Sequence, residues 1–177
     1  MQTQFKLAFL VAIVGVAAFG GTVLATSTRQ DELAAVRAAT AQFHRVEAAT
    51  AAGYELGYVN GAGTRIITGC IAHPTAGAMG YHYFNKALID DLESNPLTPE
   101  GLVYAPGANG ELKLVAVEYV VPGPASNPAG PAVAPTLFGM DMHILVPQVG
   151  FHTLHAWIWS TNPAGMFAHW NPEVTCP

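Results

Sequence analysis

Apolar positions change period along this chain, and the changes mark its elements. Leu33, Val36, Phe43 and Val46 recur near helical spacing. Ser27 or Thr28 can cap such a helix, Asp31 and Glu32 fall in its first turn beside the positive end of the dipole, and Gly53 is placed to stop it. One amphipathic helix over 30–52 is predicted. Beyond it, 54–69 is glycine-rich with short β-prone pieces and 72–79 reads as loop. Strands are expected at 80–84, 102–104, 112–121 and 153–159. A short helical stretch, 86–93, fits between the first two strands, with Asn85 as its cap and Asn95-Pro96 as its end. The Ala-Asn-Gly-Glu turn at 108–111 should pair 102–104 with 112–121 as a hairpin. The segment 122–135, PGPASNPAGPAVAP, is too rich in Pro and Gly for regular structure and reads as a surface loop. No internal repeat is visible. The predicted fold class is α+β, an N-terminal amphipathic helix packed on a mainly antiparallel sheet, with a small barrel or a sandwich as compatible closures.

The first 25 residues carry Lys6, an apolar run over 7–18 and Val23-Leu24-Ala25 as a small-residue cleavage site, the pattern of a signal peptide. The domain organisation expected is a signal peptide at 1–25 and a single globular domain at 26–177. The apolar run is short for a bilayer span of about 20 residues, and no other stretch would span a membrane stably after cleavage. The localisation implied is export, to a periplasm or the cell exterior. Cys70 and Cys176 are the two cysteines, and in an oxidising compartment the economical reading is one disulfide between them; two free structural thiols are the alternative. Without Lys6 the chain has six Lys and Arg against twelve Asp and Glu and no basic cluster, so nucleic acid is excluded as an expected partner.

Three polar residues stand inside strands where apolar ones are expected: His82 in GYHYF, Glu118 in LKLVAVEYVV and His155 in TLHAWIW. In strand alternation Leu112, Leu114, Ala116, Glu118 and Val120 share a face, so the carboxylate sits in an apolar stripe. A carboxylate buried without a partner costs several kcal/mol or stays protonated, so a histidinium or a metal ion is the expected company. Two histidines and a carboxylate suit non-haem iron and zinc. The expected cofactor is therefore a divalent transition metal (iron, zinc or copper) held by His82, Glu118 and His155, and otherwise none. A metal-free version has Glu118 orienting an imidazole that works as acid or base. His155, Trp157 and Trp159 share a face in an ideal strand, and with Tyr83 they are the expected aromatic wall of a binding pocket. His152 points to the other face of that strand and is a second-rank ligand that a bulge at Thr153 would bring inward. His73, His169 and the Met140-x-Met142-His143 cluster are weaker candidates.

Several chemistries are disfavoured. The mature chain has four serines and none lies in a G-x-S-x-G elbow, while P-loop, G-x-G-x-x-G, H-E-x-x-H and C-x-x-C-H motifs are missing from the sequence. The catalytic residues are unassigned. The functional expectation is an exported small domain with a metal site beside an aromatic wall, acting on a small molecule by metal-assisted oxidation or hydrolysis. The alternatives are a non-enzymatic binding module with an apolar aromatic pocket, or a structural envelope protein.

The runs GAMGYHYFNKALID, LVAVEYVVP, PTLFGMDM and LHAWIWSTNPAGMFAHWNPEVTC resemble the blocks of an uncharacterised family of exported bacterial proteins. Its pattern runs G-M-G-x-H-Y-x-N-P, V-E-Y, L-F-G and H-x-W-x-W-x-x-N-P-x-G-x-F with a final W-N-P and Cys. The resemblance covers most of the mature chain and places His82, Glu118, His155, Asn162, Gly165, Phe167 and Cys176 on the pattern. Lys86 stands where the family has proline. The resemblance implies block identity and export, and no activity, substrate or cofactor.

Overall fold

In the computed structural model, residues 20–144 and 149–177 are described, with side chains from Thr28 onward. The predicted signal peptide lies outside the described residues except for its last six positions, which belong to the first helix. That helix, α1 (Gly20–Thr40), leads through a 3-10 turn (Ala41–Phe43) into α2 (Val46–Ala51). The single helix expected over 30–52 is thus broken at 41–45, and it starts upstream of Ser27 and Thr28, which do not cap it. The sheet explains the break. Thr40 Oγ1 donates back to the Val36 carbonyl at 2.8 Å, a bond that bends helices, and itself accepts from the Trp159 indole at 3.1 Å. The Tyr104 hydroxyl takes the freed Phe43 carbonyl at 2.6 Å. The predicted apolar face is nonetheless the packed one: Val36 is buried, and Leu33, Phe43 and Val46 lie on the same cluster.

The strands are β1 (Tyr54–Leu56), β2 (Tyr58–Val59), β3 (Arg65–Ile66), β4 (Ile71–His73), β5 (Gly77–Asn85), β6 (Gly101–Pro106), β7 (Leu112–Pro122), β8 (Thr136–Leu137), β9 (Met140–Asp141), β10 (His143–Ile144) and β11 (Phe151–Ala156). A third helix, α3 (Lys86–Asp90), follows β5, and the Asn85 side chain caps it by accepting from Ala87 N, as predicted. The main sheet is antiparallel in the order β1-β5-β6-β7-β11-β10, with β4 on the early part of β5. β4 and the start of β5 therefore occupy the stretch 72–79, where loop was expected. The α+β class holds, and the sheet is open and not closed into a barrel.

The sheet has two differently used faces. Tyr83, Tyr104, Val117, Tyr119, Leu154 and Ala156 pack on one side with Val36 and Ala49 of the helices. On the other side lie the β2–β3 hairpin, the loop after it and the C-terminal segment, which meet Phe84, Val120 and Phe151 or Val103 and Ala116. The register of β7 against β6 shifts by one residue, with Val103 opposite Ala116 but Tyr104 opposite Leu114. That bulge at Val115 sends Leu112 and Leu114 to the helix side, so the stripe expected to include them keeps only Ala116, Glu118 and Val120.

The C-terminal segment is an ordered clamp. It bridges Ala78 to Asn171 by two backbone hydrogen bonds, at 3.1 and 3.0 Å. Asn162 donates to the Trp170 carbonyl and Asn171 to the Thr161 carbonyl, so both Asn-Pro turns are structural. Cys70 and Cys176 form a disulfide with a sequence separation of 106 residues, fixing this clamp to the loop after β3. A chain-entropy account gives such a link roughly 4–5 kcal/mol. Replacing both cysteines by serine should lower the unfolding free energy by about that amount in denaturant titrations; an unchanged midpoint would contradict a stabilising role.

Candidate metal centre

The site is assembled on the face opposite the helices. On β7 and β11, Glu118 and His155 are direct cross-strand partners. His82 is on β5, two strands away from β7, with β6 between them; its own partner is Val103. It reaches the other two across a gap at Gly101, the residue standing between Phe84 and Glu118 in the cross-strand row. A methyl group there would lie 3.1 Å from both Glu118 Cβ and Phe84 Cε1. Gly80, at φ +117, gives β5 the local turn that a side chain would block against the Tyr104 carbonyl.

His82, Glu118 and His155 are the group of three potential metal ligands that the fold brings together among the described residues. The two Nε2 atoms are 3.2 Å apart. Glu118 Oε2 is 3.5 Å from His82 Nε2, and Oε1 is 3.8 Å from His155 Nε2. Ligands bound at about 2.0–2.2 Å in a tetrahedral site are separated by roughly 3.3 Å, so the three donors converge on metal-binding spacing. Their hydrogen-bonding capacity is left largely unused: Glu118 Oε2 and His155 Nδ1 have no partner within hydrogen-bond geometry, and the His82 ring has only a poorly aligned approach to the Gly80 backbone. Orphaned polar atoms of this kind are costly, and a cation at the focus of the two Nε2 atoms and the carboxylate would relieve the carboxylate.

Burial governs the protonation of the metal-free trio. It pushes Glu118 up to about 8, with the nearby carboxyl of Glu100 adding to the shift. It pushes His82 down to about 4, partly opposed by the Gly80 backbone, and holds His155 well below the ordinary range, where His82 and His169 reinforce it. At neutral pH the metal-free trio therefore carries two neutral imidazoles and a largely protonated carboxyl. Glu100 is itself buried, accepts from Val120 N at 2.9 Å and is pushed up to about 8 by its desolvation. It stands in a Pro-Glu-Gly turn where an acidic residue attracts no notice in the sequence.

A cavity of about 210 Å³ opens beside the trio. Its sheet wall is His82, Phe84, Glu118, Val120, Phe151 and Thr153, and its outer wall includes Ile67, Ile71 and Trp170. The aromatic wall thus differs from the predicted one. Tyr83 is on the helix side against Tyr104. Trp157 is buried, stacks against His155 at 6.3 Å and is not among the residues lining the cavity. Trp159 also lies on the helix side, under the Arg37 guanidinium and beside His44. Its displacement has a local cause: β11 ends at Ala156, and a bond from Ile158 N to the Ala156 carbonyl breaks the alternation. Phe84 and Phe151 do follow alternation from His82 and His155 and were legible. Trp170, in irregular chain, was not.

The other histidines take separate places. No bulge turns His152 inward; it stays on the face away from the trio, 3.0 Å from the Pro131 carbonyl. His73 accepts from Thr75 N and Ala76 N and lies against Trp170. His169 is half-buried between His155 and exposed His143, at ring separations of 6.4 and 5.6 Å. Met142 is buried in the helix-side core, so the Met-x-Met-His cluster does not gather around one point. No protein-family model, curated protein or solved structure matches the chain.

The buried groups give the metal-free protein a pH signature. Glu100 and Glu118, raised from 4.5, contribute stability that is full at low pH and is lost as pH rises from about 4.5 to about 8. His82, lowered from 6.5 to about 4, contributes stability that is full above about 6.5 and lost as pH falls toward about 4, and the depressed His155 acts in the same direction. The two effects oppose each other between those limits, leaving a net decline from pH 6.5 to 8. In chelator, Tm should fall over that window by on the order of 5 °C or more, and Glu118→Gln should flatten the decline. A rising Tm would contradict the assignment. Gly101→Ala should cost about 1–3 kcal/mol by overpacking, measured by thermal unfolding; a neutral result would mean the gap does not position Glu118.

Proposed function

We propose that the protein is exported and binds a divalent transition metal through His82 Nε2, His155 Nε2 and the Glu118 carboxylate, at a centre of the open, catalytic type. The observation that carries this reading is the convergence of those donors within 3.2 to 3.8 Å, with a buried carboxylate oxygen left without a hydrogen-bond partner. Three protein ligands leave a coordination position for water or substrate, unlike the closed four-ligand shell of structural zinc. His82 and Glu118 border the cavity, so the open position would face it. When bound, the ion supplies Lewis-acid chemistry or, for iron and copper, redox chemistry. The chain's own residues hold the ion, exclude water with Phe84, Phe151 and Trp170, and neutralise part of its charge through Glu118, with Glu100 nearby.

Export is supported by the Cys70–Cys176 disulfide, which persists in oxidising compartments, and by the leader pattern. The described residues include no helix long and apolar enough to cross a membrane. The blocks resembling the exported bacterial family include all three proposed ligands, and membership of that family is part of the proposal. A second reading, a metal-free binding module, is favoured by the Nε2 to Nε2 contact, which is within hydrogen-bond distance when one ring donates and the other accepts. Under that reading the neutral trio is a polar floor under an apolar pocket.

Elemental analysis separates the two. Protein purified from its native compartment should carry about one equivalent of metal, and His82→Ala and Glu118→Gln should reduce it to trace while retaining the folded far-UV signal. Cobalt(II) added to the metal-free wild type should give visible d–d bands that both variants lack. Equal trace metal in all three proteins, with no cobalt spectrum, would leave only the metal-free reading.

A further inference from the structure

The cavity beside His82 and Glu118 has a size and a polarity that together define a ligand class. Its volume is about 210 Å³. An apolar cavity of about 150 Å³ accepts benzene, so this one has room for a single ring with one or two small substituents. Apart from the Trp170 indole N–H on the outer wall, which can only donate, polarity is confined to the sheet wall. Thr153 is engaged there, its hydroxyl donating to the His143 carbonyl at 3.3 Å, so His82 and Glu118 are the groups left to meet a ligand's polar end. Lys and Arg are missing from the lining, so in the metal-free protein an anionic ligand would find no counter-charge. A cationic ligand would find one carboxyl, Glu118, in an otherwise apolar lining, and a single buried pair does not repay the desolvation of both charges. An unpaired charge is not desolvated without a large penalty, so a neutral ligand is selected.

The walls point further, to an aromatic body. Phe84, Phe151 and Trp170 offer edges and faces to a ring, with gains beyond area burial alone. The outer wall is a shaped one. Ile67 adopts φ 58, a left-handed conformation unusual and strained for a β-branched residue, and in it the side chain lines the cavity. Three residues on, Cys70 pins the same loop to the C-terminal clamp that carries Trp170. A hydroxyl group, able both to donate and to accept, suits the unpartnered Glu118 oxygen and the His82 ring whichever proton they carry.

We propose that the cavity binds an uncharged monocyclic phenol, with its ring between Phe84, Phe151 and Trp170 and its hydroxyl turned to His82 and Glu118. The assignment rests on the metal-centre reading only in that the hydroxyl would face the open coordination position; the fit of the ring is independent of the ion.

The test is calorimetric titration of the mature protein, metal-loaded and chelator-treated, with phenol, benzene, benzoate and benzylammonium. Phenol should bind saturably with Kd in the range of roughly 10 μM to 1 mM, consistent with seven heavy atoms. In the chelator-treated protein benzoate and benzylammonium should bind at least about 30-fold more weakly, and benzene about 10-fold more weakly. Val120→Phe on the sheet wall and Ile71→Phe on the outer wall each fill the cavity, and whichever folds with a wild-type thermal transition should lose phenol binding. Absence of saturable phenol binding, binding unaffected by the folded filling variant, or benzoate binding to the chelator-treated protein as tight as phenol would overturn the assignment. The two readings fail separately. Stoichiometric metal without phenol binding removes the ligand class alone, whereas phenol binding to a protein that never acquires metal removes the metal centre alone.

Discussion

A carboxyl group and two imidazoles are held out of water on one face of a β-sheet, and the neighbouring architecture follows from the cost of doing so. An ionised Glu118 in that position, with neutral histidines beside it, would be an uncompensated buried charge. The carboxyl has two ways to avoid that: keep its proton, as its elevation to about 8 indicates, or take a cation. Protonation and metal loading are therefore competing states of one group. Glu100 biases the competition: as a second buried carboxyl, it raises the cost of a bare anion at Glu118 and would lower that of a divalent ion.

The fold separates support from chemistry by giving each to one side of the sheet. The helix side is an ordinary core of Val, Leu and Tyr, with the phenolic hydroxyls of Tyr54, Tyr104 and Tyr119 satisfied by backbone carbonyls. The other side is irregular because a flat sheet would not bring three donors together. Glu118 and His155 meet by register alone, but His82 is two strands from Glu118, and its approach depends on the missing side chain at Gly101. The bulge at Val115 adjusts the same strand close to Glu118, turning its first half toward the helices. Such departures from regular pairing cluster near functional sites because they re-aim side chains.

These departures also set the limit of what the sequence revealed. Period-two alternation identified His82, Glu118 and His155 as misplaced polar residues, and burial of all three bears out that part of the reasoning. The same alternation pointed to Trp159 and Tyr83 as an aromatic wall and failed. For Trp159, β11 ends three residues early; for Tyr83, the error was one of face, since a residue adjacent to His82 points away from it. The helix pattern gave the packed face of α1 and α2 but not the break between them, because the hydrogen bonds that satisfy the break come from Tyr104 and Trp159, more than sixty residues away. The cavity's outer wall was invisible for a similar reason. Ile67 and Trp170 are in irregular segments whose course is set by the Cys70–Cys176 link and the Ala78–Asn171 bridge, not by any period.

The disulfide and the proposed metal act on opposite sides of the folding equilibrium. All three ligands lie within the 106-residue separation that the disulfide spans. The crosslink limits the freedom of the unfolded chain and needs nothing at the site itself, so it acts before any ion is present. A metal ion that prefers the assembled trio stabilises the folded chain afterwards, in proportion to its concentration over its dissociation constant. Between those events the folded protein must carry a dry carboxyl whose desolvation opposes folding. A long-range crosslink that joins the cavity's outer loop to the C-terminal clamp offsets that opposition and also holds the cavity wall over the sheet. On this view the disulfide is part of the site's construction: it lets the chain keep an unfavourable polar cluster buried whether or not an ion is present.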